Sequence, residues 1–249
     1  MTWKLIRSGS NTGKHNMEFD LRLAQQCKNE EAFFRLYKWR PYAISLGANQ
    51  SFEEVNTHKT NADSIDVVKR PTGGRAILHA EEITYSGVIP VAFGLSPREV
   101  YNKISVALTR GLALYNPALV KSELEDLQPN FSDLLKQPQG SLCFASTAKS
   151  EVKFGGKKLI GSAQRKLKNI ILQHGSILCG TYHQKLPEYL NYSDKEVSNL
   201  KTELAEKTTE IETILNAPVN YEILEEKLVQ GFSDEWQIKF EESKDFMLN

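Results

Sequence analysis

Lys69-Arg70-Pro71-Thr72-Gly73-Gly74-Arg75-Ala76-Ile77-Leu78-His79 places two adjacent glycines between cationic residues, where one apolar run stops and another starts. Glycines at such a junction let backbone amides approach a ligand closely, and Arg70 and Arg75 bring charge able to neutralise an oxyanion or phosphate. The spacing matches neither a Walker A loop nor a GxGxxG turn. Taken alone, the stretch reads by default as a glycine-bearing hairpin turn with solvated arginines. In both readings it joins two strands, so the chain around it belongs to a sheet.

The neighbouring apolar runs agree. Phe33 to Trp39, Tyr42 to Leu46, Val67 to Val68, Ala76 to Leu78 and Ile83 to Ile89 are short and bounded by turn residues, a pattern of strands. Upstream, Trp3 to Arg7 reads as a strand, and Asn16 to Cys27 as a helix with Met17, Leu21, Ala24 and Cys27 at helical spacing. Downstream, Ser96-Pro97-Arg98-Glu99 starts a helix: the Ser96 hydroxyl caps free amides, Pro97 fits the first turn and Glu99 completes a capping box. Val100, Ile104, Ala107, Leu108 and Leu112 form its apolar face, which should pack across the sheet. Residues 116–140 hold Pro117, Pro129 and Pro138 and read as a surface connection. Next comes a hairpin-like series: Glu151 to Phe154, the turn Gly155-Gly156, Lys157 to Gln164, a basic turn, and Ile170 to Leu178. The tail is helical. A second capping box, Ser193 to Glu196, precedes Val197, Leu200, Leu204, Ile211 and Leu215, with Pro218 as terminator. Leu224, Leu228, Phe232, Trp236 and Phe240 then recur every four residues as the core-facing stripe of a last helix.

Composition narrows the function. A chain of 249 residues holds one large α/β domain with a small appendage. With 31 basic and 31 acidic residues there is no global field to attract nucleic acid or an anionic membrane. The amino terminus lacks the apolar core of a secretory signal, and no segment approaches the roughly 20 apolar residues of a membrane span, so a cytoplasmic protein is expected. Cys27, Cys143 and Cys179 lack CxxC spacing, which argues against a disulfide framework or structural zinc. Cys179 and His183 have metal-like spacing but no second pair, and no metal site is expected.

A second segment carries chemistry. In Gly155-Gly156-Lys157-Lys158-Leu159-Ile160-Gly161-Ser162-Ala163-Gln164, the small residues Gly161 to Ala163 leave room for a ligand against the strand, and a lysine just upstream can reach its polar head. His174-Gly175 follows on the next strand. Together with Asn16-Met17 and Asp20, Trp39 with Pro41, Ser45-Leu46-Gly47 with Gln50, and the Arg70 to His79 segment, these marks make the chain resemble the lipoate branch of the biotin/lipoate A/B protein ligase superfamily, over roughly residues 3 to 240. The resemblance implies an α/β (α+β) fold, a mixed β-sheet flanked by helices like that of class II aminoacyl-tRNA synthetases and biotin ligases. It implies a catalytic domain over residues 1–184, with residues 185–249 as a C-terminal helical extension of the same domain. It also implies an acyl-chain tunnel bordered by the glycine loop and the Lys158 hairpin, with Arg70, Gly73, Gly74, Arg75, His79, Gly161, Ser162, Ala163, His174 and Gly175 binding substrate.

Two reactions compete within that superfamily. ATP-dependent ligases activate a free acid as an acyl-adenylate, using ATP and Mg; octanoyltransferases take the acyl group from a carrier-protein thioester through a cysteine and need no cofactor. Cys143, in Ser141-Leu142-Cys143-Phe144, sits where transferases with a Cys-Phe step keep their nucleophile, and Thr72-Gly73-Gly74-Arg75-Ala76 followed by Ile83-Thr84-Tyr85-Ser86 also resembles the transferases. The resemblance therefore implies an octanoyltransferase with Cys143 and Lys158 as catalytic residues. Its donor would be acyl carrier protein, and its acceptor a lysine of a lipoyl-domain protein such as glycine cleavage H protein or a 2-oxoacid dehydrogenase E2. An amidotransferase between lipoyl domains, or a catalytically silent binding subunit, are the remaining alternatives. His79 and His174 are read as shaping the pocket. The resemblance also places an acid directly after the first of these histidines, where this chain has Ala80, with Glu81 and Glu82 following.

Overall fold

The structure, a computed structural model, describes residues 2–124 and 152–242. Ten-residue β1 (Thr2–Asn11) leads into α1 (Gly13–Gln26), whose amide end is capped by Thr12 accepting from the His15 backbone N–H. β2 (Glu31–Trp39) then returns parallel to β1. The buried face of α1 is Asn16, Met17, Phe19, Asp20, Leu23 and Ala24; Leu21 and Cys27, expected on that face, are only partly covered. Two polar residues four apart replace them, because that side of the helix lies over a buried arginine rather than over lipophilic core alone.

β3 (Ala43–Leu46), β4 (Asp66–Lys69) and β5 (Ile77–His79) form a separate three-stranded sheet in the order β4-β3-β5, with the short helix α2 (Thr57–Ala62) before β4. The main sheet continues with β6 (Glu82–Pro90), β7 (Ser122–Leu124), β8 (Val152–Phe154), β9 (Lys157–Leu167), β10 (Ile170–Leu178) and β11 (Phe240–Glu242). Its order is β11-β1-β2-β6-β10-β9-β8-β7, parallel at the β11-β1-β2 end and antiparallel elsewhere, the mixed sheet that the family resemblance implies.

β6 and β10 are buried at every residue because both faces of the sheet are covered. On one face lie α3 (Pro97–Tyr115), begun by the expected Ser96–Glu99 capping box, and α6 (Tyr221–Trp236). These helices meet at Gly111 and Gly231; a Cβ on Gly231 would stand 2.4 Å from the Gly111 nitrogen, so only glycine permits this approach. Ile83, Tyr85, Ile89, Ile171 and Ile177 point into the same core as Val100, Ile104 and Phe232. Burying such side chains stabilises the fold by about 1.5–3 kcal/mol each. On the other face α1 packs Phe19, Leu23 and Ala24 against Ile6, Phe33, Val88 and Leu172.

The tail differs from the sequence reading at two points. The helix begun by Ser193 ends at Lys207 (α4, Asp194–Lys207), and Ile211–Leu215 is a separate short α5. Between them Thr208 bridges β9 beside Lys158, and the Thr209 N–H donates to the Lys158 carbonyl at 3.0 Å. A strand bridge and a helix cannot share those residues. Phe240 is not on the last helix but on β11, where it packs against Trp3, Phe34 and Phe232. Gln237 in the left-handed conformation turns the chain there. Among the described residues no helix is long and apolar enough to cross a membrane.

Candidate active site

Along β6 and β10 the residues facing α3 are apolar apart from Gln173, which donates to Tyr85 Oη, whereas the alternate positions carry Thr84, Ser86, His174 and Ser176, a period-2 pattern that aims polar groups at the opposite face. There the main sheet meets α1 and the three-stranded sheet, and a small cavity of about 20 Å³ lies at the junction. Its walls are Met17 from α1, Tyr37 and Trp39 from β2, Ser45, Ile77 and His79 from the small sheet, Arg70, Thr84, Gly161 to Ala163 from β9, and His174 to Ser176 from β10.

Of the expected substrate-binding residues, the structure brings Arg70, His79, Gly161, Ser162, Ala163, His174 and Gly175 into one wall. Gly73, Gly74 and Arg75 are outside it, and so is Lys158, which is nevertheless buried, with 1 % of its surface exposed. Cys143 lies outside the described residues. Met17, Tyr37, Trp39, Ser45, Ile77, Thr84 and Ser176 were not singled out as ligand-binding. Thr84, Ser86 and Ser176 could have been found as hydroxyls interrupting otherwise apolar strands.

Arg70 departs from its expected role. Its Nη1 donates to the Ser45 carbonyl (2.7 Å) and Oγ (3.1 Å), Nη2 to the Arg75 carbonyl (2.6 Å) and Gly73 carbonyl (3.0 Å), and Nε to Gly73 again (3.2 Å). A guanidinium has five N–H groups, and these bonds engage all of them. Arg70 therefore clamps its own loop and lends charge to the cavity rather than offering an open donor for a phosphate. Gly74 closes the clamp from the other side: its φ of +88° suits glycine, and its carbonyl lies where a Cβ on Gly47 would come within 1.9 Å.

The two histidines are bound in parallel networks. His79 stacks on Trp39 with centroids 4.0 Å apart; its Nδ1 is 2.8 Å from Glu82 Oε1 and its Nε2 is 2.7 Å from Ser45 Oγ. Ser176 and Thr84 donate to the same Glu82 oxygen, and Trp39 Nε1 donates to Thr84. Glu82, three residues on, thus provides the carboxylate that the sequence lacks at Ala80. His174 Nε2 lies 2.6 Å from Thr72 Oγ1, while its Nδ1 is 3.6 Å from Asp20 Oδ2. Neither histidine leaves a nitrogen open to a substrate.

Beneath them is a buried ion pair. Arg35 Nη1 donates to Asp20 Oδ1 at 2.7 Å, both side chains are fully covered, and Ser86 and Tyr37 also donate to Asp20. Burial alone would raise the Asp20 pKa, but the Arg35 guanidinium, helped by His174, holds it below the ordinary carboxylate value. Burial pushes the His174 pKa below 6.5, against the pull of Asp20. His183, buried beyond the cavity, is shifted the same way by burial, opposed by Glu210.

These directions set a pH dependence. The unfolded chain binds protons at these histidines near pH 6.5 while the folded protein does not, so their contribution is complete above that value and is lost as pH falls through it. Asp20 acts in a lower window, below its ordinary value of 3.8. The melting temperature should therefore fall between about pH 7.5 and about pH 5.5, and less steeply in His174→Gln, with His183 and, through burial and the nearby Arg35 charge, His15 carrying the remaining slope. An unchanged slope in that variant, measured by thermal unfolding at several pH values, would contradict the assignment.

Comparison with known proteins places this geometry in a family. The lipoyl protein ligase A/B catalytic domain matches residues 12–233. An octanoyltransferase LipM of Kyrpidia tusciae is 34% identical over 242 residues, covering 94% of this chain and 86% of the relative. The LipM of Staphylococcus aureus is 32% identical over 238 residues, covering 93% and 86%. Among solved structures, a putative lipoate protein ligase from T. acidophilum with bound lipoic acid superposes with a TM-score of 0.76 at 18% identity, over 99% of this chain and 92% of that one. A lipoate-protein ligase A bound with ATP gives the same score and identity, over 99% and 91%, which establishes the shared fold. With a match from the N-cap of α1 into α6 and relatives above 30% identity covered over 86% of their length, the chain belongs to the lipoyl protein ligase A/B catalytic domain family.

Proposed function

We propose that this protein is an octanoyltransferase that moves an octanoyl group from acyl carrier protein, through a thioester on Cys143, to a lysine of a lipoyl-domain protein. The observation that carries the reading is the make-up of the walls at this junction: the polar groups are bonded to one another and the remaining lining is Met17, Tyr37, Trp39, Ile77 and small β9 residues, suited to an alkyl chain. The relatives named octanoyltransferase supply the chain type.

The chemistry balances without a nucleotide. The Cys143 thiolate attacks the donor's carbonyl carbon, the donor C–S bond breaks, and the donor thiol leaves with the proton Cys143 gave up. The acceptor lysine amine then attacks the acyl-enzyme. A C–N bond forms, the bond to Cys143 sulfur breaks, and the amine proton returns to the thiolate. One thioester replaces another of similar energy, and amide formation draws the second step forward, so ATP and Mg are not required. Lys158 is the group proposed to stabilise the carbonyl oxyanion and to favour the thiolate by its charge. The engaged donors of Arg70 support the same choice over adenylate formation. A cytoplasmic setting fits substrates of this kind.

Mass spectrometry of the protein mixed with octanoyl carrier protein tests this directly. A single covalent octanoyl group, formed without ATP and discharged onto a lipoyl domain, is the expected result. Transfer from free octanoate that requires ATP would instead identify a ligase, and labelling only by an acylated lipoyl domain would identify an amidotransferase.

A further inference from the structure

A groove runs along α1 beyond the cavity, bounded by Leu21, Ala24, Gln25, Cys27 and Asn29 on the helix and by Arg165 to Ile170 at the tip of the β9–β10 hairpin. Met17 and Ala163 belong to the cavity, Leu21 and Arg165 to the groove. One turn of helix and two residues of strand, about 6–7 Å in each case, separate the two sites along the same seam. Arg165 also donates to the Pro71 carbonyl at 2.7 Å, tying the groove to the loop that Arg70 clamps.

The groove has an amphipathic character of one sign. Leu21, Ala24, Leu167 and Ile170 give it an apolar floor, and its charged lining residues are Arg165, Lys166 and Lys168, all exposed, with no acid among them. In a chain of zero net charge this is a local concentration. Lys168 adopts φ +53°, a left-handed conformation that asparagine or glycine would occupy at lower cost.

We propose that this groove is the docking site for an acidic, amphipathic helix of the carrier protein that delivers the acyl thioester. An apolar strip flanked by cations fits a helix with an apolar stripe and acidic flanks. The donor is the occupant because the acyl chain it carries must enter the cavity that begins one helical turn away. The inference rests on the transferase reading for the donor's identity, while the docking itself is measured by binding.

Two variants outside the cavity test it. The Lys166→Glu/Lys168→Glu double variant should bind octanoyl carrier protein at least about tenfold more weakly at an ionic strength of about 0.01 M, with the difference vanishing near 1 M, where the Debye length is about 3 Å. Leu21→Ser should weaken binding at both salt concentrations, since apolar contacts are not screened. Turnover of a small octanoyl thioester lacking protein should stay unchanged in both. Equal carrier affinity for wild type and double variant at low salt would overturn the proposal, as would a loss confined to the lipoyl-domain acceptor. If wild type transfers from neither donor, the transferase reading fails and the binding result still decides the groove.

Discussion

Cys143→Ser should abolish transfer from octanoyl carrier protein, a loss on the order of 10³-fold or more in kcat/KM, while leaving the fold intact. The other two thiols are poor candidates on physical grounds. Burial pushes the Cys27 thiol up to about 12, and Cys179, packed inside the core, is driven higher still by burial with the Glu82 charge adding to it. Neither supplies thiolate near neutrality. A serine at position 143 would need a general base, because an alcohol ionises far less readily than a thiol. Among the described residues the cavity offers no such base: His79 is held between Glu82 and Ser45, and His174 between Asp20 and Thr72. Cys27→Ser and Cys179→Ser should retain transfer, apart from packing losses at Cys179. Near-normal ATP-free transfer by Cys143→Ser, followed by the rate of lipoyl-domain octanoylation, would sink the thioester mechanism.

Motifs that act through local geometry were legible from the residues. The Ser96 and Ser193 capping boxes form as read, and the Gly155-Gly156 turn joins β8 to β9 with both glycines at positive φ. Residues whose meaning depends on distant partners were not. Arg70 reads as an anion donor beside two glycines, but the carbonyls it binds belong partly to Ser45, 25 positions away. Asn16 and Asp20 break the apolar face of α1 because Arg35, on a strand beneath, must be satisfied when buried. The separate three-stranded sheet was invisible for a related reason: short apolar runs announce strands, while their pairing is fixed by which faces the fold covers. Phe240 continues a four-residue spacing, yet the left-handed Gln237 ends the helix before it.

Adjacent Lys157 and Lys158 should differ sharply in their effect on transfer. Neighbouring strand residues point to opposite sides, and here Lys157 is exposed, its Nζ donating to the Ala205 carbonyl at 2.9 Å, while Lys158 is buried. Enclosing an ammonium is costly unless partners or function compensate, so a lysine 1 % exposed is chemically meaningful where a solvated one is not. The chain holds it firmly, since the Thr208 bridge and the bond from Thr209 N–H fix the β9 backbone at that residue. Lys158 lies three residues before Gly161 on β9, outside the residues that line the cavity, and its amine is proposed to meet the acyl carbonyl and not the alkyl chain. Loss of one oxyanion donor lowers kcat by about 10²–10³. Lys158→Ala should show that loss, and Lys158→Met, which keeps the apolar stem and fills the space, should show nearly the same, separating missing charge from missing packing. Lys157→Ala should stay within a few-fold of wild type. Similar rates for Lys157→Ala and Lys158→Met, on protein with matching circular dichroism and melting temperature, would remove Lys158 from the reaction.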